Sequence, residues 1–344
     1  MWHRTPRVLR RLLFQAHRWT GLVAGIYVLA IALSGAVLVF RQEIQAAMYP
    51  HYFRVSADGT LADATTVIRE VQAAYPGYRV SGVDWPTYRR GTFLAYVSRG
   101  NEFRTVFADA ETGRVVGELP FDAIRWLQDF HANLRGARMG LTINGIGAAL
   151  LLLLAASGLF VWIRGVRASW HVTIGALLSP MIVLWALTGM YFAFPQPFRR
   201  AVNAVAPLTV VRAPESSPSD PGAFVQPAEL IARARAAFPQ ARLARFVFPF
   251  DARGTYVVVL ARGVHGDVDT TDEVTLHFDQ YTAELLLARD HSRRSAGDTL
   301  LAWTRPVHMG MPGGLTGKIV WAIFALAPPA LLVTGLAMWR NRTA

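Results

Sequence analysis

Four stretches run apolar for about twenty residues with almost no charge, at roughly residues 19–40, 141–163, 172–194 and 319–339. A hydrocarbon core of about 30 Å takes about 20 helical residues to cross, so each stretch predicts one transmembrane helix. Two long polar intervals lie between them, and each is large enough for a small folded domain. LADATTVIREVQAAYP (61–76) and PAELIARARAAFP (227–239) predict an amphipathic helix ended by Pro in each interval. Both helices are followed by β-rich runs, GTFLAYVSRG and RTVFADAETGRVVGEL in the first interval, GTYVVVLARG and EVTLHFDQYTAELLLA in the second. The closing run of each carries an Asp-x-x-Thr turn, Asp109 to Thr112 and Asp279 to Thr282. The second interval adds a longer polar hairpin, HGDVDTTDE, and the Pro/Ser-rich APESSPSDPG reads as a join between modules.

The pattern repeats within the chain. A shift of 154 places His17 on His171, Gly21 on Gly175, Ala32 on Ala186 and Ser34-Gly35 on Thr188-Gly189. A shift of 177 places His131 on His308, Gly136 on Gly313, Gly140 on Gly317 and Ser157-Gly158 on Thr334-Gly335. The fold class expected is therefore an integral membrane protein, mainly α. Four transmembrane helices form a bundle, with two small α+β modules outside it, built as a tandem repeat of span, outer domain, span.

Composition and charge agree with that class. The 344 residues are 53% hydrophobic with a net charge of +12. Residues 51–120 hold 8 basic and 8 acidic side chains and 212–299 hold 10 and 12, which leaves 17 basic against 3 acidic elsewhere. The excess is juxtamembrane, which favours a lipid bilayer over nucleic acid as the partner. Arg4, Arg7, Arg10, Arg11 and Arg18, then Arg164 and Arg167, then Arg340 and Arg342 are nine arginines with no acid among them. The positive-inside rule makes these segments cytoplasmic. The expected organisation is a basic tail (1–18), span 19–40, outer module 41–140, span 141–163, cytoplasmic link 164–171, span 172–194, outer module 195–314, span 315–339 and a cytoplasmic tail (340–344). A cleaved signal peptide is the competing reading of the first span, but its apolar run is long and its pattern recurs internally, so it reads as retained. The chain has no Cys, which excludes disulfides, thiolate metal sites and Cys-linked haem.

Four of the nine histidines, His17, His131, His171 and His308, sit at span ends and fall into two repeat-related pairs. At about 100° per residue, offsets of 0, 4, 8, 15 and 18 share about 80° of helix surface. These offsets give His17, Gly21, Gly25, Ala32 and Gly35 in one span, and His171, Gly175, Ser179, Ala186 and Gly189 in another. A small-residue stripe can serve close helix packing with no ligand. It can equally lie against a flat macrocycle whose iron is bound by the imidazole. Four histidines suffice for two six-coordinate irons, and two imidazoles on each iron imply electron transfer rather than oxygen chemistry. Topology puts His17 and His171 near the cytoplasmic face and His131 and His308 on the outer side. One length is awkward: His131 to Ser157 is about 39 Å as straight helix, longer than the core. Either the helix projects, or the Gly-containing HANLRGARMG and HMGMPGGLTG segments bend the histidines back.

Other chemistries lack their signatures. There is no Walker-type or dinucleotide glycine fingerprint, no HExxH and no GxSxG. The spans hold no carboxylate, only Lys318 near the start of the last, which argues against an ion-coupled transporter. The acidic hairpin residues Asp267, Asp269, Asp272 and Glu273 read as a solvated loop rather than a cation site.

The segments AHRWTGLVAGIYVLAIALSGAVLVFRQEI, FHANLRGARMGLTINGIGAALLLLLAASGLFVWIRG, SWHVTIGALLSPMIVLWALTG and VHMGMPGGLTGKIVWAIFALAPPALLVTGLAMWRNR resemble the transmembrane units of PepSY-associated membrane proteins. The polar modules look like degenerate PepSY domains. Some members of that family are bacterial inner-membrane ferric-siderophore reductases with two b-type haems held by span-end histidines. The resemblance implies His17, His171, His131 and His308 as haem-iron ligands, two haem b as cofactors, a cytoplasmic or membrane electron donor, and a ferric siderophore reduced on the periplasmic side. It also leaves a haem-free alternative, a membrane-anchored PepSY module that binds or regulates a periplasmic protein. Val172-Thr173 replaces Arg-Trp after the third-span histidine, and Pro180, Pro328 and Pro329 lie within spans, which bears on local helix geometry.

Overall fold

The computed structural model describes residues 7–53, 60–87, 90–100, 102–118, 122–163, 169–217, 225–262 and 272–343. In chain order the elements are α1 (Arg7–Leu38), α2 (Arg41–Met48), α3 (Pro50–Phe53), α4 (Ala64–Ala74), β1 (Arg79–Asp84), β2 (Thr92–Arg99), β3 (Glu102–Asp109), β4 (Val115–Glu118), α5 (Ala123–Asn133), α6 (Ala137–Ile163), α7 (Trp170–Ala193), α8 (Pro195–Val205), α9 (Pro227–Ala237), β5 (Arg242–Val247), β6 (Thr255–Ala261), β7 (Glu273–Asp279), β8 (Leu285–Asp290), α10 (Ala296–His308), α11 (Gly314–Ala325) and α12 (Ala327–Thr343). They divide into a helical unit, Met1–Arg41, Ala123–Leu208 and Thr299–Ala344, and a sheet unit, Gln42–Asp122 and Thr209–Asp298.

Four segments of the helical unit are long and apolar enough to cross a membrane: Arg11–Leu38, Ala137–Ile163, Trp170–Ala193 and Gly314–Asn341. Only 6% of the most apolar window of the second is buried inside the protein, so its apolar surface faces outward, where hydrocarbon would cover it. The prolines are accommodated locally. Pro180 lacks the N–H that would bond the Ala176 carbonyl, and the Ser179 hydroxyl donates to that carbonyl at 2.9 Å instead. Pro328 and Pro329 fall in the first turn of α12, where a helix has no partner for its N–H groups. The last span is accordingly two helices meeting at Leu326.

The histidine-bearing α5 and α10 are separate short helices, each followed by a tight reversal into a span. Both reversals depend on a glycine. The Asn133 carbonyl occupies the place a Cβ of Gly140 would take, and the Pro312 carbonyl does the same at Gly317. Leu134, Arg135 and Ala137 adopt positive φ around the first reversal, and Gly310, Gly313 and Gly314 around the second. The reversals remove the length difficulty, because the histidines bend back rather than extending the spans. They also move 123–140 and 299–314 out of the modules expected at 41–140 and 195–314. Contacts such as the Trp321 indole N–H donating to the Val307 carbonyl at 2.7 Å tie these short helices to the spans.

In the sheet unit the two expected modules share one eight-stranded antiparallel sheet, in the order β4-β3-β2-β1-β5-β6-β7-β8. Each half is a helix, α4 or α9, followed by four strands. The halves join where β1 pairs with β5, Val83 opposite Phe246, both fully buried. One apolar core runs beneath both halves, including Val67, Val71 and Phe93 from the first and Leu230, Leu260 and Leu276 from the second. Pairing β1 with β5 leaves no bare edge at the join, which is why the modules merge. On the seam Arg245 is bidentate to buried Asp84, whose carboxylate also accepts from the Tyr96 hydroxyl at 2.9 Å. Burial, then the Asp84 charge, push that phenol up to about 12.

Both Asp-x-x-Thr turns are present. Asp109 accepts from the Thr112 N–H at 2.8 Å and Asp279 from the Thr282 N–H at 3.0 Å. The start of the expected join is pinned rather than loose: Ser216 is buried, donates to the Gly254 carbonyl and accepts from the Gln280 N–H. The rest of APESSPSDPG, most of HGDVDTTDE with Asp267 and Asp269, and the link residues Arg164 and Arg167 lie outside the described residues.

Candidate functional site

The helical unit brings the four span-end histidines together as two facing pairs. The ring centres of His17 and His171 are 6.2 Å apart, and those of His131 and His308 are 6.3 Å apart. Each ring is fixed from behind through Nδ1. His17 Nδ1 meets the Ser157 hydroxyl at 2.9 Å, His131 meets Ser34 at 3.0 Å, His171 meets Thr334 at 3.1 Å and His308 meets Thr188 at 2.7 Å. His131 and His171 also meet the carbonyls of Ile31 at 3.0 Å and Leu331 at 3.1 Å.

These contacts decide where the imidazole proton sits. Every one of the four hydroxyls already donates to a carbonyl of its own helix: Ser157 to Leu153, Ser34 to Ile31, Thr334 to Ala330 and Thr188 to Leu184. A hydroxyl whose single hydrogen is committed can only accept, and a carbonyl can only accept. Nδ1 is therefore the protonated nitrogen in all four rings, and Nε2 carries the lone pair. That is the tautomer of a metal-ligating histidine held by an outer hydrogen bond.

The glycine beside three of the four hydroxyls gives the ring room. A Cβ on Gly35 would come within 2.9 Å of His131 Cε1, one on Gly158 within 3.2 Å of His17 and one on Gly335 within 3.3 Å of His171. The fourth, Gly189, faces Ala148 instead. The locks stay within each half of the chain: α6 locks the histidine of α1 while α1 locks that of α5, which leads into α6, and the last span locks the histidine of α7 while α7 locks that of α10, which leads into the last span. Facing pairs form only across halves.

Each pair opens on an apolar cavity. The first, about 290 Å³, is lined by His17 and His171 with Gly21, Gly25, Gly158 and Gly175. The second, about 400 Å³, is lined by His131 and His308 with Gly35, Ala32, Ala186 and Gly189. The small-residue stripes are thus shared out, their early members facing one cavity and their late members the other. Ser179 serves Pro180, and Gly25 also makes room for Leu332. His17 and Ser34 are 17 residues apart on one helix, so the two histidine pairs lie about 25 Å apart along it, at the far ends of adjoining cavities. Val28, Leu151 and Pro328 line both.

Residues 14–342 match the sequence profile of the PepSY-associated TM region. The chain belongs to this family. No curated protein matches it significantly. The family region spans all four histidines and all four hydroxyls.

The donor set fits a haem iron. With metal–imidazole bonds of about 2.0 Å and ring centres roughly 1.1 Å behind the nitrogen, two imidazoles on opposite sides of one metal lie about 6.2 Å apart. A bare ion would need more ligands than a pair supplies, and no group of three or more His, Cys, Asp or Glu that could hold one occurs among the described residues. Iron whose equatorial positions are filled by a porphyrin needs only the axial two.

In the sequence the Ser/Thr-Gly pairs stand out as repeat markers, with Gly35 and Gly189 also on the small-residue stripes, but the hydroxyls have no role assigned. The available signal was their place, one such pair near the far end of every span, level with a histidine on a neighbouring helix. The remaining described histidines stand apart from this arrangement. His51 packs on Tyr52, His277 Nδ1 meets Thr255 and His291 meets Thr275, and none of these faces a second histidine. His3 and His265 lie outside the described residues.

Proposed function

We propose that this PepSY-associated membrane protein is a di-haem b oxidoreductase of a bacterial inner membrane that passes electrons to a ferric siderophore outside the cytoplasm. The observation that carries the reading is the two facing histidine pairs, 6.2 and 6.3 Å between ring centres, with every Nδ1 protonated and every Nε2 available. His17 and His171 would hold one haem iron, and His131 and His308 the other. A haem supplies one-electron exchange at its iron.

The chain's own residues then do four things. The Nε2 atoms would supply the two ligands that a porphyrin iron still needs, which would leave none open for oxygen. The Ser and Thr hydroxyls keep the proton on Nδ1 and hold the rings in place. The apolar walls exclude water from the iron. Val28, Leu151 and Pro328, shared by both cavities, form the wall between the two redox centres. Nine arginines and no acid in the tails and link support cytoplasmic termini, which sets the first pair at the cytoplasmic face and the sheet unit in the periplasm. A cytoplasmic or membrane reductant gives up an electron, the ferric chelate gains one, and siderophores hold Fe(II) far less tightly than Fe(III).

The purified full chain tests this. A Soret band with sharp α and β bands after dithionite, lost in part in His17→Ala, is expected. Colourless protein expressed with ample haem would refute the haem and leave a haem-free PepSY binding module. Reduced protein that is not reoxidised by a ferric siderophore would remove the reductase activity and leave electron transfer.

A further inference from the structure

We infer that Arg18 pairs with a carboxylate carried by the macrocycle between His17 and His171, so that the first cavity selects a porphyrin with free acid side arms. This rests on the haem reading above. Arg18 is the one charged residue among the described residues lining that cavity, and no acid lines it. Its Nε is buried and has no hydrogen-bond partner, while its guanidinium carbon stands 5.2 Å from the centre of the Trp19 ring. The ring satisfies part of the cation's field but accepts no hydrogen bond in the guanidinium plane.

A buried guanidinium N–H without an acceptor is costly, and the protein offers no acceptor there. A planar, forked donor at a cavity wall matches a carboxylate, which can take two parallel N–H bonds from it. Haem b bears two carboxylates along one edge, so a macrocycle ligated by His17 can bring a carboxylate to the adjacent residue. The repeat-related position beside His171 is Val172, so only one side of this cavity supplies the charge.

The test compares haem with its dimethyl ester, in which both carboxylates are blocked, titrated into haem-depleted full chain in detergent. Binding is read from the low-spin bands, in the intact protein and in His308→Ala, which isolates the first pair. The native chain is expected to prefer the free acid by about tenfold or more, Arg18→Gln to lose that preference, and Arg18→Lys to keep part of it. Equal affinity for acid and ester in the native chain, or a preference surviving in Arg18→Gln, would overturn the role of Arg18 and leave the haem reading standing. Failure of the native chain to take up either porphyrin would overturn both.

Discussion

The two cavities reach nearly the same geometry by different routes. In the first, both histidines lie on spanning helices, His17 on α1 and His171 on α7. In the second, both lie on short helices, α5 and α10, that turn sharply into the following span. The ring separations still differ by only 0.1 Å between 6.2 and 6.3 Å. The helix that carries a histidine therefore does not set the spacing. What the cavities share is the lock, a hydroxyl at the far end of a neighbouring span that accepts a hydrogen bond from Nδ1–H and so leaves the lone pair on Nε2.

The sharpest way to break the comparison is to remove one ring from each side. His17→Ala should abolish low-spin bis-histidine haem in the first cavity and His308→Ala in the second. Each should lose about half the total signal, because the partner ring alone gives one axial ligand where two are needed. Spectra and haem-to-protein ratios of the two variants and the double variant check this. Additivity is the expected result, and total loss from either single change would show that the cavities depend on each other.

The second route can be attacked alone. Gly140→Ala drives a methyl onto the Asn133 carbonyl, which is backbone and cannot step aside, so a cost above about 3 kcal/mol is expected at that reversal. His131 should then lose its place beside Ser34 while the first pair persists. Resonance or optical spectra that retain one haem signal and lose the other would show it.

The locks themselves differ, and this separates the cavities more finely. His308 Nδ1 has the Thr188 hydroxyl as its hydrogen-bond acceptor, whereas His171 has the Leu331 carbonyl besides Thr334. Thr188→Val leaves a buried N–H without an acceptor, at a cost of about 1–3 kcal/mol, while Thr334→Val should cost about 1 kcal/mol or less because the carbonyl remains. Thermal melts in detergent, with haem retention in parallel, rank the two. Equal effects would mean that the hydroxyls are not what holds the rings.

Much of this arrangement was legible in the sequence, for identifiable reasons. Long apolar runs report membrane helices directly, and internal shifts of 154 and 177 aligned the histidines and the Ser/Thr-Gly pairs. Which histidine faces which followed from counting spans. The lock did not follow, because a serine or threonine mid-helix ordinarily bonds a carbonyl one turn back in its own helix, as all four hydroxyls here also do, Ser34 at i−3 and the other three at i−4. Its second role appears only when another helix brings an imidazole to it. The merging of the two modules was hidden for a related reason: strand pairing between β1 and β5 is a long-range choice, and the patterns of both strands are equally compatible with separate sheets. Gly140 and Gly317 stood out as repeat-aligned, yet the carbonyls that exclude a Cβ there are set by the reversal and not by the pattern.

The smallest expected effect comes from a histidine that has a hydroxyl neighbour but no place in a pair. His291, in the sheet unit, meets Thr275 through Nε2 at 3.0 Å and accepts from Arg294 Nε at its Nδ1 at 3.2 Å. Its proton is therefore on Nε2, the reverse of the four cavity histidines, and its lone pair is already taken. Burial, then the Arg294 and Arg289 charges, hold it at about 4 against an ordinary 6.5, with Asp290 and Asp298 opposing. Between those values the unfolded chain takes up a proton that the folded one refuses. Its contribution is thus fully present above pH 6.5 and is lost as the pH falls toward 4. The ring is half-buried, so solvent screening keeps the effect under about 1 kcal/mol. Melting temperatures between pH 7.5 and 4.5 should fall less steeply in His291→Gln than in the native chain. Identical slopes would mean that His291 ionises as freely in the folded sheet as in the unfolded chain, and that its contacts with Arg294 and Thr275 do not fix its tautomer.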